Sequence, residues 1–127
     1  MTPEQVLTAV DAVMSRPFEW GVCDCCTAAC DVFLRLWGVD PMADVRSQYM
    51  GLRGAAALIR ENGGFPALVE SVLAPIGLTP GHQIGGLAMT LEGRGSLLIC
   101  IQPGQWAGKT LNGFALVSRA DRGWHLA

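Results

Sequence analysis

Asp24-Cys25-Cys26-Thr27-Ala28-Ala29-Cys30-Asp31-Val32-Phe33-Leu34-Arg35-Leu36-Trp37-Gly38 encodes a helix with its own start and stop. Val22, Cys26, Ala29, Cys30, Phe33 and Trp37 recur on one face at helical intervals, so a helix over Cys25–Trp37 is expected against the core. Gly38 is its natural C-terminal stop. Asp24 stands where a cap belongs, and the same carboxylate has a second option of turning toward Cys25 beside it. A core helix entered and left by such clear signals fixes the phase of everything around it.

Upstream, Pro17 separates this helix from an earlier one. Thr2 precedes Pro3, Gln5 occupies the capping-box position, and Val6, Val10, Val13 and Met14 follow at helical spacing, predicting a helix from Pro3 to Ser15. The connection Arg16 to Val22 carries Phe18 and Trp20. Downstream, a turn at Asp40-Pro41 leads to a short helix marked by Leu52, Ala55, Ala56, Leu58 and Ile59 and ended by Asn62-Gly63-Gly64. Pro66 opens another, with Leu68, Val69, Val72 and Leu73 apolar, closed before Pro75.

The second half changes period. Ile84–Thr90, Ser96–Gln102, Phe114–Ser118 and Gly123–Ala127 are short and rich in β-favouring residues, divided by Glu92-Gly93, Pro103-Gly104, Asn112-Gly113 and Asp121-Arg122. The expected class is α+β: N-terminal helices, then a small antiparallel sheet or partial barrel, in a single domain spanning 1–127.

Composition narrows the function. With 9 basic and 11 acidic residues in 127 the net charge is −2, and the basic ones are scattered singly, which excludes the basic stripe of a nucleic-acid binder. The first residues lack a basic region before an apolar stretch, so no signal peptide is expected. Ser71–Leu91 has no formal charge apart from His82 and is long enough to cross a bilayer, but Pro75, Gly77, Pro80, Gly81, Gly85 and Gly86 would break a spanning helix. A helix end, a loop and a buried strand are expected there instead. Uncharged, glycine-rich runs suit a subunit of an assembly.

Four of the five cysteines crowd Cys23–Cys30. A metal site needs ligands that converge, usually as separated pairs, and no metal or other cofactor is expected. A metal or redox module using Cys23, Cys25, Cys26 and Cys30 is the third-ranked reading. Adjacent Cys25 and Cys26 are expected to diverge on the helix, which argues against a disulfide. Cys26 and Cys30 read as small apolar residues facing the core. Cys25 differs, because at a helix N-terminus peptide dipoles and free amides stabilise a thiolate.

The run Arg16-Pro17-Phe18-Glu19-Trp20-Gly21-Val22-Cys23-Asp24-Cys25-Cys26 resembles the Pro-Phe-x-Trp-Gly-x-x-Asp-Cys-Cys signature of a small family of phage and prophage proteins, itself similar to NlpC-type papain-like cysteine peptidases. The resemblance continues through Asp40-Pro41-Met42-Ala43-Asp44-Val45-Arg46-Ser47-Gln48-Tyr49 and Gly63-Gly64. It implies an NlpC-type papain-like fold, with Trp20, Gly21 and Cys26 as motif residues and Cys25 at the nucleophile position beside Asp24. It also implies a histidine base at the start of the second strand. Here that strand reads Ser96-Leu97-Leu98-Ile99-Cys100, without histidine, and Gly85-Gly86 replaces the Gly-Asp pair that often opens the first strand.

The remaining candidates for a base are His82, in the Pro80-Gly81-His82 turn, and His125 on the last strand. Trp20 and Trp124 read as core or interface aromatics. The favoured expectation is a structural component of a phage tail, at the tip or hub, on a peptidase-like scaffold that has lost its base. Its partners would be other tail tip or hub proteins, and it would be made in the host bacterial cytoplasm and end in the virion. The alternative is an active cysteine amidase or endopeptidase acting on peptidoglycan during genome delivery, with Cys25 attacking and His82 or His125 as base.

Overall fold

The computed structural model describes residues Met1–Ala127. Four helices, α1 (Pro3–Met14), α2 (Cys25–Trp37), α3 (Gly51–Glu61) and α4 (Phe65–Leu73), precede the main strands of an antiparallel sheet. Its six strands are β1 (Thr79–Pro80), β2 (Leu87–Thr90), β3 (Ser96–Gln102), β4 (Gln105–Thr110), β5 (Gly113–Val117) and β6 (Arg122–His125), in the order β1-β6-β2-β3-β4-β5. The α+β class is as expected. Of the two forms anticipated for the second half, the chain takes the sheet, open at β1 and β5.

The helix boundaries follow local chemistry. Thr2 and Gln5 form a reciprocal capping box at the start of α1, with Pro3 where its missing N–H costs nothing. Asp24 caps α2 through the amides of Cys26 and Thr27, and Gly38 ends it at φ +76°, a left-handed conformation that a side chain would oppose. α2 buries more than the one face anticipated. Ala29, Cys30 and Phe33 are fully buried, and so are Ala28 and Val32, because α1 lies on one side of the helix and β3 on the other. Burying Val32 and Phe33 contributes roughly 1.5–3 kcal/mol each. Val22, assigned to that face from its spacing, precedes the helix and is exposed.

Strand parity sorts the sheet into two faces. Leu87, Met89, Leu97, Ile99, Ile101 and Ala107 join the helices in the main core, while Ala88, Leu98, Cys100 and Trp106 form a smaller cluster on the outer face. The pairings Leu87↔Ile99 and Ile99↔Ala107 hold this register across the centre.

Sequence patterning missed β4 and β1. Gly108 and Lys109 weaken the β-signal of β4, yet Pro103-Gly104 folds it back on β3 with Trp106 opposite Cys100. Lys109 is buried without a carboxylate, its Nζ donating to the carbonyls of Thr110 (2.7 Å) and Gly113 (3.0 Å) across the β4–β5 turn. β1 is an edge strand, where Pro80 is tolerated because no inner ladder needs its N–H.

The expected strand Ile84–Thr90 begins only at Leu87. Gly85 has φ +83°, and its carbonyl accepts the Trp37 indole N–H at 2.9 Å. A Cβ on Gly85 would stand 2.9 Å from the Trp37 ring. Gly85→Ala is therefore expected to cost roughly 1–3 kcal/mol by combining backbone strain with overpacking. A thermal melt indistinguishable from that of the natural protein would refute this.

Candidate functional site

The loop before α2 is tied into a knot around one carboxylate. Glu19 and Cys23 exchange backbone hydrogen bonds (3.1 and 2.7 Å), turning the chain through Gly21, with Phe18 and Trp20 edge-to-face at 4.9 Å. Asp24, only 2% exposed, accepts at Oδ1 from the amides of Cys26 (3.0 Å) and Thr27 (2.8 Å) and from the Thr27 hydroxyl (3.0 Å). Its Oδ2 accepts from the Gly21 amide (2.8 Å) and the Tyr49 hydroxyl (2.7 Å). Of the two options open to Asp24, capping is the one its geometry takes.

Tyr49 reaches this carboxylate because the connection from α2 is pinned. Arg46 bonds Asp31 (2.6 Å) and Asp40 (2.8 Å through Nε), and Arg16 adds a contact to Asp31 at 3.1 Å. Burial alone would raise the Asp40 carboxyl, but the Arg46 hydrogen bond and charge bring it below its usual range. The Asp40-Pro41…Arg46…Tyr49 stretch thus acts as a brace for the start of α2. Tyr49 is the site residue that the sequence reading left without a role. Its place 25 residues beyond Asp24 gives no local sign that the two touch.

Cys25 is half-buried at the first position of α2. Its sulfur lies 3.8 Å from that of Cys26, so the two converge where divergence was anticipated. Side chains in the first helical turn lean toward the N-terminus, and this tilt brings together sulfurs whose Cβ atoms point apart. A hydrogen bond from the Cys26 thiol is the main influence lowering Cys25 to about 7, against burial and the Asp24 charge, with help from the Leu97 backbone and the Ser96 hydroxyl. Cys26 is pushed well up by the same pairing and by burial. Cys30 is buried and also raised, as suits a core thiol. Cys23 is buried too, its sulfur 3.8 Å from the Val13 carbonyl.

Cys25 therefore faces the head of β3, where Ser96 and Leu97 stand. The two histidines lie elsewhere. His82 rests edge-on against Trp106 (ring centroids 5.0 Å apart) on the outer face of the sheet, packed over Gly123 and with its Nδ1 unpartnered. His125 sits beside Gly81 on the β1–β6 edge, with Nδ1 2.7 Å from the Leu126 carbonyl. Trp124 is half-buried against the main core.

A cavity of about 180 Å³ opens beside Cys25, and 18 of its 21 lining residues are hydrophobic. Cys25, Cys26, Tyr49, Leu58, Phe65 and Leu97 form part of its wall, supplied by α2, the connection before α3, α3, α4 and β3, and neither histidine belongs to it. Trp20 and Arg94, both exposed, line it as well. Asp24, Cys25, Cys26 and Trp20 are thus gathered at one place, with Gly21 bonded to Asp24 behind them, while His82 and His125 stay apart. No three His, Cys, Asp or Glu side chains converge closely enough to hold a metal ion.

Fold and site together define an α+β domain in which a cysteine at the start of the core helix faces a central strand and opens on an apolar cavity. The chain belongs to the family described as a domain of unknown function, DUF6950, whose model matches residues 2–126. No curated protein and no solved structure matches it. No helix is long and apolar enough to cross a membrane.

Proposed function

We propose that this chain is a structural component of a phage-type tail, at its tip or hub, built on an NlpC-type scaffold that no longer carries a base. One observation carries the reading: the thiol in the nucleophile position faces the head of β3, with Leu97 beside it in the cavity wall and no histidine there, and His82 lies edge-on against Trp106 on the opposite face of the sheet. Cleaving an amide requires a proton for the departing amine, and a serine hydroxyl standing where a histidine would is a poor source of it. The motif Phe18-x-Trp20-Gly21-x-x-Asp24-Cys25-Cys26 supports the phage kinship.

The surface agrees with assembly. β5 is a sheet edge without a charged residue from Gly113 to Val117, and Leu116 and Val117 are exposed on it, with Leu111 exposed in the turn that leads into it. Natural edge strands usually carry charge or proline to prevent pairing, so an edge left this way suits a neighbouring subunit. Purified virions from an induced lysogen should contain this polypeptide when analysed by mass spectrometry. Its absence from mature particles would overturn the reading.

A second reading is favoured by the lowered Cys25 thiol, namely a working cysteine amidase or endopeptidase on peptidoglycan. The two readings separate on purified cell wall. The structural reading expects the natural protein and Cys25→Ala to release equal, background amounts of amine, whereas the enzyme reading expects release that the substitution abolishes.

A further inference from the structure

The cavity beside Cys25 is unsuited to the charged, hydrogen-bonding peptides of a cell wall. Its few polar lining groups are already engaged or lie toward solvent: the Asp24 carboxylate holds its amide and hydroxyl donors, the Tyr49 hydroxyl is spent on Asp24, and Arg94 is exposed. What remains is hydrocarbon, from Leu58, Phe65, Val69 and Leu97 among others. A dry cavity of about 150 Å³ lined by Leu, Ile and Phe accommodates benzene. The 180 Å³ here therefore matches an apolar group of roughly six to eight carbons.

We propose that this cavity binds a medium-length acyl chain and that Cys25 accepts that chain as a thioester from an acyl thioester donor. The inference goes beyond the tail reading and does not depend on it. In the transfer, the Cys25 sulfur adds to the donor carbonyl. The Cys25 amide, first of α2 and without an acceptor in the chain, faces the developing oxyanion, since the next two amides are taken by Asp24. The intermediate collapses with loss of the donor thiolate, which takes up the proton that Cys25 gave up. Thiol and thioester become thioester and thiol, with no oxidant and no water consumed.

The absent base is decisive for the class of reaction. A thiolate leaves without prior protonation, so a thiol that already ionises near neutrality can exchange with a thioester, whereas an amide would stall for want of an acid. The apolar wall then selects chain length, each methylene entering it adding to binding.

The test is incubation of the natural protein with acetyl-, hexanoyl- or octanoyl-coenzyme A, followed by intact-mass and peptide mass spectrometry and by hydroxylamine release. The expected result is a hydroxylamine-labile adduct on Cys25, formed at least about tenfold faster from the octanoyl than from the acetyl donor. In Ala56→Phe, which fills the cavity from an exposed helix position, the octanoyl rate normalised to iodoacetamide labelling should fall to the acetyl level. Equal rates for the donors in the natural protein, or an adduct spread over other cysteines, would overturn the proposal. So would Cys25 that labels with iodoacetamide but takes no acyl group. Loss of that labelling as protein concentration rises, without an adduct, would assign the cavity to a second copy and overturn it too. Amine release from cell wall is read separately, so failure here leaves the tail reading standing.

Discussion

Asp24→Ala is expected to destabilise the domain by about 3–5 kcal/mol, the size of effect that follows from leaving several buried donors unpaired. The carboxylate ends five short contacts, from the amides of Gly21, Cys26 and Thr27 and the hydroxyls of Thr27 and Tyr49. Loss of the helix cap alone costs about 1 kcal/mol, up to 2 in a protein. The remainder comes from Gly21 and Tyr49, whose donors point into a site too enclosed for easy rehydration. For a chain of this length the melting temperature should fall by roughly 10–20 °C. Tyr49→Phe removes one hydrogen bond and leaves Oδ2 its Gly21 partner, so about 1–2 kcal/mol is expected. A double-mutant cycle between the two positions should return a coupling of comparable size. If Asp24→Ala costs no more than an exposed cap, the knot is not what holds the start of α2.

Cys26→Ala is expected to move the pH midpoint for alkylation of Cys25 from about 7 up toward its ordinary value of 9.0. The sign follows from the proton: once Cys25 is ionised only the Cys26 thiol can donate across the 3.8 Å between the sulfurs, which favours the thiolate, and alanine removes that donor. At pH 7 the thiolate fraction should fall roughly 50-fold, from about one half to about one hundredth. The rate falls less, roughly five- to tenfold, because a more basic thiolate is also the better nucleophile. Cys26→Ser retains a donor and should lie between the two. Iodoacetamide labelling followed by peptide mass spectrometry from pH 5 to 10 reads the midpoint directly. An unchanged midpoint in the alanine variant would show that the helix start alone activates Cys25.

What could be read beforehand depended on distance along the chain. The ends of α2 were legible because Asp24 and Gly38 act on groups within a few residues, and β3 was legible because its apolar run from Leu97 to Ile101 is unbroken and bounded by turn residues on both sides. β4 was not, since its support comes from β3 and β5 on either side and from a lysine whose charge is met by two carbonyls. Strand Ile84–Thr90 was drawn too long because Trp37, 48 residues away, claims the Gly85 carbonyl. The divergence expected of Cys25 and Cys26 rested on helical angles at Cβ and neglected the lean of the longer side chains.

The candidate site divides in the same way. Cys25 at a helix start, with Asp24 before it, was visible in the residues themselves, and so was the lack of a histidine in the second long strand. Tyr49 as the partner of Asp24, Ser96 opposite the thiol, and the hydrocarbon cavity were not, because each joins side chains from different elements. The amino-acid sequence by itself determined the α+β class, the limits of the core helix and the placing of a thiol at its first turn, since capping, turn and periodicity signals act over a few residues. Only the tertiary structure decided that both histidines lie away from that thiol and that an apolar hollow lies beside it. Which face of a sheet a loop residue joins, and what space is left where α2, α3, α4 and β3 meet, depend on packing between segments that no local signal relates.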